Sequence, residues 1–153
     1  MVFHFRFEKI LELKVNIENE KKQKLAYFMS QINKFNQEIK VIETEKQKLQ
    51  QQLFEPTLMK DPSYRASISD YMNNGQMYIL RVKEKIKELE PYIKEARENY
   101  FKARKDRAVF DHLKEKAYQK FLEEKKKKEK QEIEFYGQRN YLNKLSKKEG
   151  ESF

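Results

Sequence analysis

The feature that most limits what this chain can fold into is a repeat. From Leu25, apolar residues recur in alternating steps of three and four: Leu25, Phe28, Ile32, Phe35, Ile39, Ile42, Lys46, Leu49 and Leu53, with Lys46 the one polar member. A mean spacing of 3.5 residues, held over four heptads, keeps one stripe of an α-helix against a partner helix and predicts a left-handed supercoil. A half-buried strand would alternate every two residues instead. Upstream, Ile10, Leu13 and Ile17 keep the helical spacing, but their phase slips by one residue before Leu25, among Glu18, Glu20, Lys21 and Lys22. The stretch reads as one helix with a register irregularity.

The segment Glu55-Pro-Thr-Leu-Met-Lys-Asp-Pro-Ser63 interrupts the pattern. Pro56 and Pro62 lack an amide donor and restrict the residue before them. Asp61 before Pro62 offers an N-cap with proline at the first helical position. Ser67 with Asp70 offers a rival, weaker capping box. A second seam follows: Ile68, Met72, Gly75, Ile79, Val82, Ile86, Leu89, Ile93, Ala96, Tyr100 and Ala103, apolar except at Gly75. Gly75 costs the helix about 1 kcal/mol relative to Ala, and it reads as a weak point or a place of close approach. Pro91 lies inside this helix at a cost of roughly 3 kcal/mol. With Leu89 and Ile93 on the seam, Pro91 falls on the outermost face, where a kink bends the helix towards its partner. It reads as a tolerated kink, with a hinge as the alternative.

Composition supports an all-helical reading. Charged residues make up 39% of the 153 positions and apolar ones 38%, with only three Gly and three Pro. Sandwiches, barrels and doubly wound sheets need many more turn residues. The expected fold is all-α: two long helices in an antiparallel coiled-coil hairpin, forming a single coiled-coil domain over residues 1–153. The first helix is expected at about 8–54, the connection at about 55–66 and the second helix at about 67–145. The tail 146–153, with Gly150 and Ser152, is expected to fray.

Past Ala103 the same register runs through Arg107, Phe110, Lys114, Ala117, Phe121, Glu124, Lys128, Gln131, Phe135, Gln138, Leu142 and Leu145, and only six of these twelve are apolar. Helix length accounts for the decay. At 1.5 Å per residue the first helix spans about 70 Å and the second about 120 Å. Folded back, the first covers the second only to about residue 115. The last thirty residues of the second helix therefore overhang without an intrachain partner.

Catalytic constellations are absent from the sequence. His4 and His112 stand without companions at ligand spacing, and the three glycines are too far apart for a phosphate-binding loop. The carboxylates alternate with lysines on helix faces, as in the i, i+4 pairs Glu20–Lys24, Glu123–Lys127 and Glu124–Lys128. A two-helix seam has no shielded pocket in which to shift a catalytic pKa, so no enzyme and no cofactor is expected. The chain has no Cys, which excludes disulfides and thiolate metal sites and fits a reducing compartment. The charged, aromatic N-terminus does not read as a signal peptide. No apolar run approaches the ~20 residues of a membrane span. A cytoplasmic protein is expected, with any membrane contact peripheral.

The net charge of +9 is localised. Lys102–Lys130 holds twelve Lys/Arg against six Asp/Glu, densest at Lys125–Lys128. This is a solvated helix face, a docking surface for an acidic protein, or a nucleic-acid surface. The last is supported only by interleaved aromatics such as Phe110, Tyr118 and Phe121. Aromatics reach 13% of the chain, high for a coiled coil. Tyr27, Tyr64, Tyr71, Tyr78, Tyr92 and Tyr118 lie off the seam, where exposed Tyr and Phe commonly anchor a second protein.

The opening Phe3-His-Phe-Arg-Phe-Glu-Lys-Ile-Leu-Glu-Leu-Lys14 resembles the start of the FliJ family of flagellar export proteins, aromatic-x-Phe-Arg-Leu-Glu-x-Val-Leu-x-Leu-Arg. Phe5, Arg6, Glu8, Leu11 and Leu13 match, and Phe7, Ile10 and Lys14 are conservative changes. Ala103, Arg104 and Leu113 fit a later Ala-Arg-x-x-x-x-x-Leu-x-x-Leu segment, with Phe110 in place of Leu. Farther on the family has a Glu and then an Asp-Glu pair. This chain keeps Glu129 but has Glu134-Phe135 at the pair.

The resemblance implies a non-enzymatic component of the flagellar export apparatus, a two-helix stalk similar to that of the rotary ATPase γ subunit. It implies binding to the export ATPase FliI and promotion of its hexamer, contact with the gate protein FlhA, and escort of substrate chaperones. It also implies action in the cytoplasm, at the membrane-embedded apparatus, with no nucleic acid as partner. Applied to this sequence, the ATPase surface is expected at the termini, on Phe5, Arg6, Phe7, Leu11, Arg104, Arg107, Leu113 and Lys114. The gate surface is expected near the turn, on Tyr71 and Tyr78. Two other classes fit the same composition: a generic structural coiled coil, including a homodimer built through the overhang, and a basic helical nucleic-acid binder.

Overall fold

The structure, a computed structural model, describes residues 1–53 and 60–151. It consists of two helices, α1 (Glu8–Leu53) and α2 (Pro62–Glu151), with no strand among the described residues. They form an antiparallel helical hairpin. Descending α1 through Gln52, Glu45 and Glu38 to Phe28, the partners on α2 ascend through Tyr64, Tyr71 and Tyr78 to Tyr92.

Two compact groupings can be distinguished along the chain, one of Asn16–Arg104 and the other of Met1–Val15 with Lys105–Phe153. In the first, Ile68, Ile79, Val82, Ile93, Ala96 and Ala103 are buried, with Ile79 and Val82 at 2% exposure. The α1 seam residues from Leu25 to Leu49 are half-buried. No polar or charged side chain among the described residues is buried. The two seam exceptions, Lys46 and Gly75, lie about one helical turn apart along the hairpin. A Cβ added at Gly75 would sit 3.3 Å from Ile42 Cγ2, so the glycine marks a close approach. Nearby, Lys46 Nζ donates to Gln76 Oε1 at 2.8 Å.

α2 begins at Pro62, five residues before the expected start. The Ser63 amide donates to Asp61 Oδ1 at 3.0 Å, an N-cap bond, with Pro62 at the position where its missing amide costs nothing. The rival cap is not used, because Ser67 Oγ donates back to the Ser63 carbonyl at 3.0 Å, inside the helix. The expected connection 55–66 therefore shortens at its far end, and its residues 55–59 lie outside the described part. Pro91 is exposed within α2, on the face away from the seam.

In the second grouping α2 continues past residue 145 to Glu151. After Pro91 no proline stops the helix, and Gly150 keeps a negative φ. Ser152 and Phe153 lie outside the described residues. The cover on α2 also extends farther than residue 115. Residues 1–7, ahead of α1, lie along α2 as far as Phe121, and from Glu123 to Gly150 every residue is exposed.

Candidate functional site

In the grouping that holds both termini, the residues before α1 form an aromatic arm. Phe3, Phe5 and Phe7 are half-buried while His4 and Arg6 between them are exposed. This alternation is that of an extended segment with one face against a neighbour. The Phe3 ring meets Tyr118 edge-on at 5.3 Å and Phe121 at 5.5 Å. Phe7 packs edge-on against Phe110 at 6.3 Å and against Phe5 at 5.9 Å. Ring pairs at these spacings add about 0.5–1.5 kcal/mol each beyond their buried area. The arm passes into α1 through the Glu8 amide, which donates to the Phe5 carbonyl at 3.2 Å.

Charge closes the same end. Lys114 Nζ lies 2.9 Å from Glu8 Oε2, and Glu8 stands in the first turn of α1, where a carboxylate also favours the helix dipole. Arg107 pairs with Asp111 one turn along α2. The Arg6 guanidinium lies over the Phe7 ring at 5.4 Å from its centroid, a cation–π contact.

Of the residues expected at the ATPase surface, Phe5, Arg6, Phe7 and Lys114 thus take part in one linked cluster, and Arg107 is held beside Asp111. Leu113 is 41% exposed. Leu11 is only 6% exposed and is a packing residue. Arg104 is exposed and falls in the other grouping, as its last member. Phe3, Phe110, Tyr118 and Phe121 complete the cluster and were absent from the expected set. The signal for Phe3 is the Phe-x-Phe-x-Phe alternation, which is a signature of extended chain rather than of helix.

Beyond the arm, α2 presents Ile133, Phe135, Tyr136, Tyr141 and Leu142 at 60–72% exposure, together with the exposed lysines Lys125–Lys128. Such side chains on a solvated helix are unusual unless another molecule meets them.

In the grouping Asn16–Arg104, Tyr71 and Tyr78 are rungs between the helices. Tyr71 Oη donates to Glu45 Oε2 at 2.9 Å and Tyr78 Oη to Glu38 Oε2 at 3.2 Å. Tyr64 Oη adds a longer contact of 3.4 Å to Gln52 Oε1. The three tyrosines are seven residues apart, and so are their three acceptors. The hydrogen bond from Tyr71 to Glu45, with the carboxylate charge beside it, holds the phenol above its ordinary pKa. For Tyr78 the charge of Glu38 comes first and the hydrogen bond second, in the same direction. Both rings remain about half exposed, at 54% and 45%, so a second molecule can reach the ring faces while the hydroxyls stay engaged. An open groove of about 390 Å3, lined by Leu49, Ile68 and Tyr71 among others, runs beside them.

Among the described residues no group of His, Cys, Asp and Glu is arranged to hold a metal ion, and no helix is long and apolar enough to cross a membrane. Fold and surface together define a helical-hairpin protein of the coiled-coil class, with large apolar side chains displayed on its surface. A family model described as flagellar FliJ protein matches residues 3–146, and the chain belongs to that family. It is therefore a structural component of the flagellar protein export apparatus. Comparison with curated proteins and with solved structures yields no match.

Proposed function

We propose that this protein is the cytoplasmic stalk of the export apparatus. It binds the export ATPase FliI and promotes its assembly and activity. It also links the ATPase to the gate protein FlhA and to substrate chaperones, on the cytoplasmic side of the membrane. The mechanism is mechanical and allosteric. A single hairpin placed in the middle of a six-fold ring makes the six subunits inequivalent and links turnover at the ring to contact at the gate.

One observation carries this reading: the run Glu123–Gly150, exposed throughout, with six large apolar side chains and a lysine cluster. A binding site that surrounds this helix would bury those side chains on all sides, and an acidic or neutral lining would suit its charge. The aromatic cluster around Phe7 and Phe110 completes the surface on this reading. The half-exposed rings of Tyr71 and Tyr78 form the gate surface.

The test is stimulation of the purified ATPase. Charge reversal is best placed on Lys126 and Lys127, because Lys114 and Arg107 hold intrachain ion pairs whose loss would disturb the hairpin. Lys126→Glu with Lys127→Glu, and separately Phe135→Ala with Tyr141→Ala, should each reduce stimulation several-fold at unchanged helicity. Full stimulation by both variants would refute the ATPase assignment.

A further inference from the structure

The aromatic arm is fastened unevenly. Its base is built into the start of α1: the Glu8 amide donates to the Phe5 carbonyl at 3.2 Å, the Leu11 amide to the Phe7 carbonyl at 2.9 Å, and Glu8 pairs with Lys114. The outer part is held differently. Among the described residues, Met1–His4 make no hydrogen bond or ion pair to α2. What holds them is the Phe3 ring, edge-on to Tyr118 at 5.3 Å and tilted against Phe121 at 5.5 Å. Phe3 itself is only half-buried, and its neighbours Val2 and His4 are exposed. Ring contacts are non-directional beside backbone pairing, so the outer arm can lift without leaving a buried polar group unpaired.

The place it covers is part of a longer stripe. Phe121 stands at the same heptad position as Phe135 and Leu142, and Leu122 at the same position as Tyr136. Seven residues are close to two helical turns, so these side chains project from nearly one face of α2. Phe135, Tyr136 and Leu142 are 60–64% exposed, whereas Phe121 and Leu122 are half-buried. The lysines continue with the stripe: Lys116 and Lys120 are exposed, as are Lys125–Lys128. Apolar side chains with cations beside them thus run on beneath the arm, and the arm marks where the free part of the stripe stops.

We propose that the outer arm, Met1–Phe5, is a releasable strap over a cryptic extension of the α2 docking stripe, and that it leaves when a partner with an apolar, acid-lined socket closes round the helix. This rests on the reading that Glu123–Gly150 is the segment the ATPase encloses. A socket advancing along α2 from its exposed end meets the strap at Phe121 and needs the face on which Phe3 lies. Lifting the strap frees Tyr118 and Phe121 and opens α2 back towards Lys114, a gain of about 14 Å of helix. Acidic groups on the socket would meet Lys116 and Lys120 there, as they meet Lys125–Lys128 farther out. In the free protein the strap shields two aromatic rings from water, and it competes with the partner for them. Apparent affinity is therefore reduced by the fraction of molecules with the strap closed.

The chain has no Cys, so the strap can be locked cleanly. Phe3→Cys with Tyr118→Cys is joined by a short bis-maleimide and compared with the same protein capped at both thiols by a monofunctional maleimide. The locked form should stimulate the purified ATPase several-fold less than the capped form. Phe3→Ala with Phe5→Ala, at positions outside both helices, loosens the strap. It should reach half-maximal stimulation at a several-fold lower concentration than the parent, with helicity unchanged by circular dichroism. Equal stimulation by the locked and capped forms, in an assay where Lys126→Glu with Lys127→Glu still weakens the parent, overturns the strap and leaves the ATPase assignment standing. An ATPase that the parent does not stimulate overturns that assignment, and the strap with it.

Discussion

Leu11 and Leu113 look alike in the sequence, each a leucine in a helical repeat, yet one is 6% and the other 41% exposed. Leu11→Ala should cost about 2–5 kcal/mol in chemical denaturation, the range for a buried leucine. Leu113→Ala should stay within about 0.5 kcal/mol and weaken only partner binding. The Lys114–Glu8 pair is substantially exposed on both sides. Lys114→Ala is therefore expected to cost at most about 1 kcal/mol, an effect that added salt should remove. The tyrosine rungs set a direction for pH. Both phenols are held above the ordinary value of 10.0 in the folded chain. Their contribution is complete below the unfolded value and is lost as pH rises through the raised folded one. Thermal melts should thus show stability falling above about pH 10, and Tyr71→Phe with Tyr78→Phe should flatten part of that fall. An unchanged alkaline slope in the double variant would refute the rungs' contribution.

At the scale of the helices, caps and breakers decide where each begins and ends. Two starts for α2 were legible in the sequence, and the bond from Ser63 to Asp61 selects the first. Asp61→Ala should cost about 0.5–2 kcal/mol, whereas Ser67→Ala, which removes only a bond back to the helix carbonyl, should be nearly neutral in the same thermal melts. A Ser67 variant as damaging as the Asp61 variant would move the cap. At its far end α2 runs to Glu151 through Gly150, because an isolated glycine weakens a helix by about 1 kcal/mol without ending it. Pro91 was placed correctly on the outer face from the positions of Leu89 and Ile93, since the seam defines the opposite side.

For the whole molecule, the exposed surface of α2 was legible in the sequence only in part. The exposed reach of α2 was legible, because its seam decays after Ala103. The place where cover ends was not, because an extended aromatic arm lies outside any helical period. If Glu123–Gly150 is the segment that the ATPase encloses, its amides should exchange rapidly in the free protein and become protected in the complex. Exchange that is equally fast in both would place the interface elsewhere. Membership of the flagellar FliJ protein family covers residues 3–146 and so includes most of this segment.

The sequence by itself determined the helices and the stripes they bury. A 3.5-residue period, few glycines and prolines, and abundant Lys and Glu are local properties that leave no other regular structure for these residues. Tertiary structure alone decided which residues share a level: Tyr71 with Glu45, Phe3 with Tyr118, Ile42 with Gly75. The physical reason is that a heptad pattern repeats. It specifies the phase of each helix about its own axis but is blind to a shift along that axis. Contacts between residues far apart in the chain depend on that shift, which only the packed pair of helices defines.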